Sequence, residues 1–338
     1  MKPGGPRTVR ARLLWALGAV AALMLAGYTA FQVSPWPSAL VIRAAFDKGA
    51  NTTSQALAKH VPPGVSARLN ERYDAADPDA RLDVFYPSEI ENSERALTTV
   101  VWVHGGGWIS GSKNQIANYA KILAGNGYTV ADVDYSVAPG KTYPTPLRQL
   151  NAALAYLQHD AKRLHVDASR FVLAGDSGGA HIAAQVANLA SSPAYATALG
   201  IAPSLKRSQL RGVILYCGGY DFRKIDFDGP FGGFMHTALW SYFGRKDFFD
   251  HPLFATASVS GYLTSDFPPA FISAGNADPL VPQSRAFAGA RAARGVQVDS
   301  LFFPDDYAPA LQHEYQFNLD VPAGRLALER SLKFLSER

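Results

Sequence analysis

Sulfur is scarce in this sequence. It holds one cysteine, Cys217, so no disulfide can form within the chain. Cys217 closes an apolar run, VILYC, and reads as a buried, inert thiol. No cluster of cysteine and histidine has metal-ligand spacing, so neither a metal nor another cofactor is expected. Beyond the N-terminus there is no run of lysine or arginine. The net charge is +4, and residues 1–12 account for it through Lys2, Arg7, Arg10 and Arg12, leaving the body neutral. The basic balance is therefore no sign of a nucleic-acid partner, and none is expected. Fixed-period repeats and low-complexity tracts are missing as well, which excludes solenoids and tails. What remains is a 338-residue chain that is 48% hydrophobic and 18% charged. That is too apolar for disorder, and α/β folds reach this length as one domain.

The first thing present is a charge-free run from Leu13 to Val33. As a helix it would span about 30 Å, the thickness of a bilayer's hydrocarbon core. The basic residues precede it, so the N-terminus should stay in the cytoplasm and the rest should be exported. Trp36, between Pro35 and Pro37, fits an interfacial anchor that stops the helix. The favoured reading makes 1–36 a retained single-pass membrane anchor or uncleaved signal, with the rest of the chain outside the cytoplasm. The alternatives are a cleaved signal, which would leave a secreted protein, and a buried core helix. Ala26 and Ala30 make poor cleavage sites, because Met24 and Tyr28 stand two places before them.

Residues 37–338 read as one domain. Residues 38–60 look helical, with a break near Gly49, and either rest on the membrane or cover an active site. Strands are expected at 81–86, 98–103, 128–134, 170–174, 210–217, 270–274 and 298–303. Helices are expected at 113–126, 145–164, 178–190, 283–295 and 323–336. In the second of these, Leu147, Leu150, Leu154, Leu157 and Ala161 recur at threes and fours. Alternation of this kind implies a mainly parallel sheet with helices on both faces. Residues 222–266 break the rhythm and read as an insertion at the ligand-binding edge. Between 222 and 262 lie eleven aromatics, far above the 12% of the whole chain, as though a cap roofed a pocket.

Gly175-Asp176-Ser177-Gly178-Gly179 matches the G-x-S-x-G nucleophile elbow, with a buried strand before it and a small-residue helix after it. The bland alternative makes Ser177 an ordinary helix N-cap. His104-Gly105-Gly106-Gly107-Trp108 follows another apolar strand. Its three glycines bare backbone N–H groups of the kind an oxyanion needs. His104 and Trp108 flank them as candidate substrate contacts. A serine hydroxyl needs a base. Of the histidines after Ser177, His181 belongs inside the elbow helix, and His236 and His251 fall in the insertion. That leaves His313, in the polar loop LQHEYQF, with an unperturbed titration near pH ~6.5. For the acid, Asp278 lies just past strand 270–274, although Asp-Pro also suits a helix N-terminus. Asp221 has a similar place after strand 210–217, and Asp278 is preferred.

HGGGW, GDSGG, the segment AGNADPL and the late His313 together resemble the hormone-sensitive-lipase-like and feruloyl-esterase-like bacterial carboxylesterases of the α/β-hydrolase superfamily. The likeness covers roughly residues 80–335. It implies an α/β-hydrolase fold, a triad of Ser177, Asp278 and His313, and an oxyanion hole built from the N–H groups of Gly106, Gly107 and Gly178. Two positions depart from the relatives' pattern: Ser136 replaces the arginine of their DYRLAP, and Gly178 stands where many have alanine. The expected function is hydrolysis of small-molecule esters with short to medium acyl chains through an acyl-enzyme. The alternatives are a C–N hydrolase of formamidase or peptidase type on the same triad, and a non-catalytic membrane-tethered binding protein. Oligomeric state is not legible.

Overall fold

The computed structural model describes residues 6–229 and 231–338; Lys2, part of the basic flank, lies outside them. Helix α1 (Pro6–Val33) is followed after two residues by α2 (Trp36–Leu57). By length and composition Val9–Val33 can cross a membrane, and none of it is buried against the body. It suits either a membrane anchor or a signal sequence.

The strands are β1 (Val65–Arg72), β2 (Arg81–Pro87), β3 (Leu97–Val103), β4 (Thr129–Val133), β5 (Val166–Asp176), β6 (Leu210–Tyr216), β7 (Ala270–Ala274) and β8 (Val298–Phe302). They form one sheet in the order β1-β2-β4-β3-β5-β6-β7-β8. β2 runs antiparallel to both β1 and β4, and the pairs from β4 to β8 are parallel. The helices of the body are α3 (Lys113–Gly125), α4 (Thr145–His159), α5 (Ser177–Ser191), α6 (Pro193–Leu199), α7 (Gly232–Phe243), α8 (Val281–Ala292) and α9 (Pro322–Ser336). This is the α/β-hydrolase fold.

Side chains of a strand alternate between the sheet's faces. On β3, Val101 and Val103 enter one core while Val100 and Trp102 enter the other. On β5, Phe171 and Leu173 oppose Val172 and Ala174 in the same way. Both faces are covered, which is why these strands read as continuous apolar runs. Leu147, Leu150, Leu154 and Leu157 of α4 are all buried, each contributing roughly 1.5–3 kcal/mol through burial.

Several expected boundaries shift. Gly49 does not break α2, which runs unbroken to Leu57. Its turns are held from both sides of the glycine. Arg43 donates to the carbonyls of Ile109 and Ala138, Asp47 accepts the Gly111 N–H, and Asn118 donates to the Ser54 carbonyl. The helix expected to reach 164 ends at His159, and the strand expected at 170–174 spans Val166–Asp176. β1 and α6 were not foreseen. Among the described residues of 222–266 there is no strand; they hold α7 and short 3-10 turns.

Register places the chemistry. Val103 lies beside Gly175, and Asp176 beside Tyr216. The residues following β3, β5, β6, β7 and β8 therefore leave the sheet along one edge, where open α/β sheets bind ligands.

Candidate active site

β5 runs straight into α5, with Ser177 at the joint. Its φ of 51° lies in the left-handed region, an unusual conformation for a residue with a side chain. The glycines on either side are steric necessities. A Cβ on Gly175 would stand 2.6 Å from the Gly179 carbonyl carbon, and one on Gly179 would collide with the backbone oxygens of Val103 and His104. The turn is thus tight because α5 packs directly on the end of β3.

Two hydrogen bonds in series reach the serine. His313 Nε2 lies 3.0 Å from Ser177 Oγ, and His313 Nδ1 lies 3.0 Å from Asp278 Oδ2. Asp278 is 2% exposed. Its other oxygen accepts the Leu280 N–H at 2.7 Å. The turn-capping role suggested by Asp-Pro and the contact to histidine therefore occupy different oxygens of one carboxylate. Asp221 is elsewhere: it accepts from the backbone and side chain of Arg223 and pairs with Lys224. His181 is buried, hydrogen-bonded to the Ala257 carbonyl, and depressed to about 4 by burial.

The glycine loop faces the serine. Gly106 and Gly107 have φ of 107° and 58°. A Cβ on Gly178 would stand 3.1 Å from the Trp108 nitrogen and 3.3 Å from the Gly107 nitrogen, so the loop's N–H groups approach the first turn of α5 closely. The N–H groups of that turn have no intrahelical acceptor. Trp108, itself at φ 63°, stacks on Tyr242 with centroids 5.1 Å apart. His104 lies beneath the loop, stacked on Tyr135, with Nδ1 2.8 Å from the Gly105 carbonyl.

Two residues that sequence reasoning passed over adjoin Ser177 and His313. Asp176 precedes the serine and Glu314 follows the histidine, and their carboxyl oxygens crowd together over Gly105. Burial first, and then the charge of Glu314, push the Asp176 carboxyl well above the usual range, although Trp102 donates to it at 2.8 Å. Glu314 Oε1 lies 3.6 Å from His313 Nε2. For His313, burial opposes the charged form. The hydrogen bond that His313 donates to Asp278 and the charges of Glu314 and Asp278 outweigh it and raise the imidazole to about 9. The ordinary value assumed from sequence is corrected upward for that reason. Cys217 brings a third ligand-type group within 4.8 Å of Asp278 and His313. Each of the three is engaged, and the thiol faces Gln316 and the Glu314 N–H.

Ser177 lies between two cavities. The larger, about 330 Å³, is walled by Phe46, Gly49 and Thr53 of α2, by His104 and Gly106, and by His313 and Glu314. The smaller, about 20 Å³, lies beside Gly107, Trp108 and Gly178 under Phe222, Phe231 and Phe234.

The BD-FAE family profile matches residues 82–289. Carboxylesterase NlhH of Mycobacterium tuberculosis is 31% identical over 278 residues, which cover 79% of this chain and 82% of the relative. Esterase B from Lactobacillus rhamnosis, solved with a tributyrin phosphonate, superposes with a TM-score of 0.75 at 26% identity, covering 89% of this chain and 96% of that one. A hyperthermophilic esterase from Pyrobaculum calidifontis shares the fold, with a TM-score of 0.71 at 22% identity over 88% of this chain and 93% of the other. The protein is a serine hydrolase of carboxylesterase type. It belongs to the BD-FAE family of α/β-hydrolases. The C–N hydrolase and the non-catalytic alternative find no support among these relatives.

Proposed function

We propose that Ser177, His313 and Asp278 serve as nucleophile, general base and orienting acid in the hydrolysis of carboxylic esters with short to medium acyl chains. The observation that carries this is the pair of 3.0 Å hydrogen bonds ending on a serine lifted from the backbone at φ 51°. His313 takes the Ser177 proton as the oxygen attacks the carbonyl carbon. The oxyanion that forms meets the N–H groups of Gly106, Gly107 and Gly178. His313 then returns the proton to the leaving alcohol, and water repeats the sequence on the acyl-serine. A fluorophosphonate probe should label Ser177, and acyl esters should turn over much faster than the matching amides. A label on another residue, or faster amide cleavage, overturns the reading.

Since His313 protonates the leaving group, the alcohol belongs on its side of the serine, in the larger cavity. The acyl group then points past Gly178 into the small pocket under the insertion 222–266, which acts as a cap. With about 20 Å³ of room, that pocket admits little more than a water-sized group without displacement of its rings. The specificity constant for p-nitrophenyl esters should therefore peak between acetate and butyrate. Each methylene that fits gains up to about 0.8 kcal/mol. Phe234→Ala should move the peak to longer chains. A steady rise from acetate to palmitate would defeat the bounded pocket.

The base must be neutral, so activity rises with pH through the His313 titration. A value near 9 places the midpoint of kcat/KM well above that of a free histidine, about 6.5. Glu314→Gln removes a negative charge 3.6 Å away and should lower the midpoint. A wild-type midpoint at or below that of free histidine contradicts the argument. We propose further that α1 is a single-pass anchor, N-terminus inside, which holds the catalytic domain outside the cytoplasm; its length, its apolar surface and the basic flank before it support this.

A further inference from the structure

α2 has two different faces. One is fastened to the body through Arg43, Asp47 and the buried Ala39 and Leu57. The other is bare, and its character changes along the helix. Trp36, Leu40 and Val41 are 44%, 50% and 64% exposed, with exposed Ala44 and Ala45 on the next turn. From Lys48 onward the exposed positions are mainly polar, including Asn51, Thr52 and Gln55. An apolar stripe of this kind on an exposed helix needs a partner.

Its position names the partner. The stripe begins three residues after α1 ends, with only Ser34 and Pro35 intervening. The cap meets the same place, for Lys246 donates to the Gln32 carbonyl and lies 5.4 Å from the Trp240 ring centre. Aromatics and cations of this sort collect where a membrane helix leaves the hydrocarbon. The stripe also ends at the larger cavity: Ala45, Phe46 and Gly49 form its rim.

We propose that the first half of α2 is seated in the membrane interface, so that the larger cavity opens on the bilayer and receives the alcohol part of a membrane-partitioned ester. The inference rests on the anchor and on the two-pocket reading above. The substrate class it defines is a short acyl group on a large amphiphilic alcohol. Such an alcohol stays partly in the lipid while its ester bond reaches Ser177.

The test uses the full-length chain in phosphatidylcholine vesicles. Cys217 is buried, so a fluorophore reporting polarity can be placed singly at Val41→Cys or, as a polar-half control, at Thr52→Cys. The label at 41 should shift to the blue on vesicle binding and the label at 52 should not. Hexadecyl acetate and ethyl palmitate, each carried in the vesicles, reverse the long and short sides of one ester. The acetate should be cleaved about tenfold faster or more. Leu40→Glu with Val41→Glu should lower its cleavage by a similar factor, because seating two aliphatic side chains contributes at least about tenfold. Cleavage of soluble p-nitrophenyl acetate should stay within about twofold, since neither residue lines the site. A chain that floats with vesicles while both labels remain equally wet overturns the seated surface and leaves the anchor standing. A chain that does not float overturns both. Preference for ethyl palmitate overturns the assignment of the alcohol to the larger cavity.

Discussion

Replacing Ser177 with alanine is expected to abolish ester turnover while leaving thermal unfolding unchanged. The substitution removes one hydroxyl, and with it the proposed nucleophile and the donor of the 3.0 Å hydrogen bond to His313. Loss of the nucleophile in comparable sites lowers kcat by about a millionfold. Alanine meets the same backbone strain at φ 51° as serine does, so the turn should form equally well. Purified variant and wild type can be compared on p-nitrophenyl acetate, with unfolding followed by circular dichroism. Residual activity above a few per cent would remove Ser177 from the role of nucleophile.

Asp278→Asn should lower kcat by about three to four orders of magnitude with little loss of stability. The asymmetry comes from the two oxygens of the carboxylate. Oδ1 accepts the Leu280 N–H, and an asparagine carbonyl can take over that duty. Oδ2 accepts from His313 Nδ1, and an amide NH2 placed there would favour the wrong tautomer. Asp221→Asn supplies the control, since that carboxylate is turned toward Arg223 and Lys224. If it is the more damaging of the two, the acid has been misassigned.

The parallel centre of the sheet was legible because each of its strands buries both faces and leaves a dense apolar run, as VVWV and RFVLA do. β1 escaped because it is an edge strand with none of its residues buried, so VSARLNER carries no such run. Ser177, Asp278 and His313, which the fold brings within hydrogen-bond reach, could be singled out because the elbow motif offers the first, and chain order after it leaves few candidates for the others. That the segment 38–60 either covers a site or rests on the membrane was legible, but how α2 is fixed over the cavity was not. It depends on Arg43 and Asp47 finding the backbone of residues 109–111 and 138, a contact between segments that no local pattern marks. Asp176 and Glu314 sit next to two residues already singled out, and adjacency alone would have drawn them in. What the sequence hides is how burial couples their charges to the histidine.

The serine and histidine that must meet are 136 residues apart in sequence, and the histidine comes from the loop after the last strand of the sheet. Contacts between such distant segments form late, because chain entropy must be lost before they repay it. Until β8 docks at the sheet edge and its loop folds back over α5, the chain carries its proposed nucleophile without its proposed base. On the proposed triad, the enzyme is therefore chemically silent while it is being made. The onset of ester cleavage would mark completion of the sheet, and a refolding experiment followed by activity should lag one followed by helix signal.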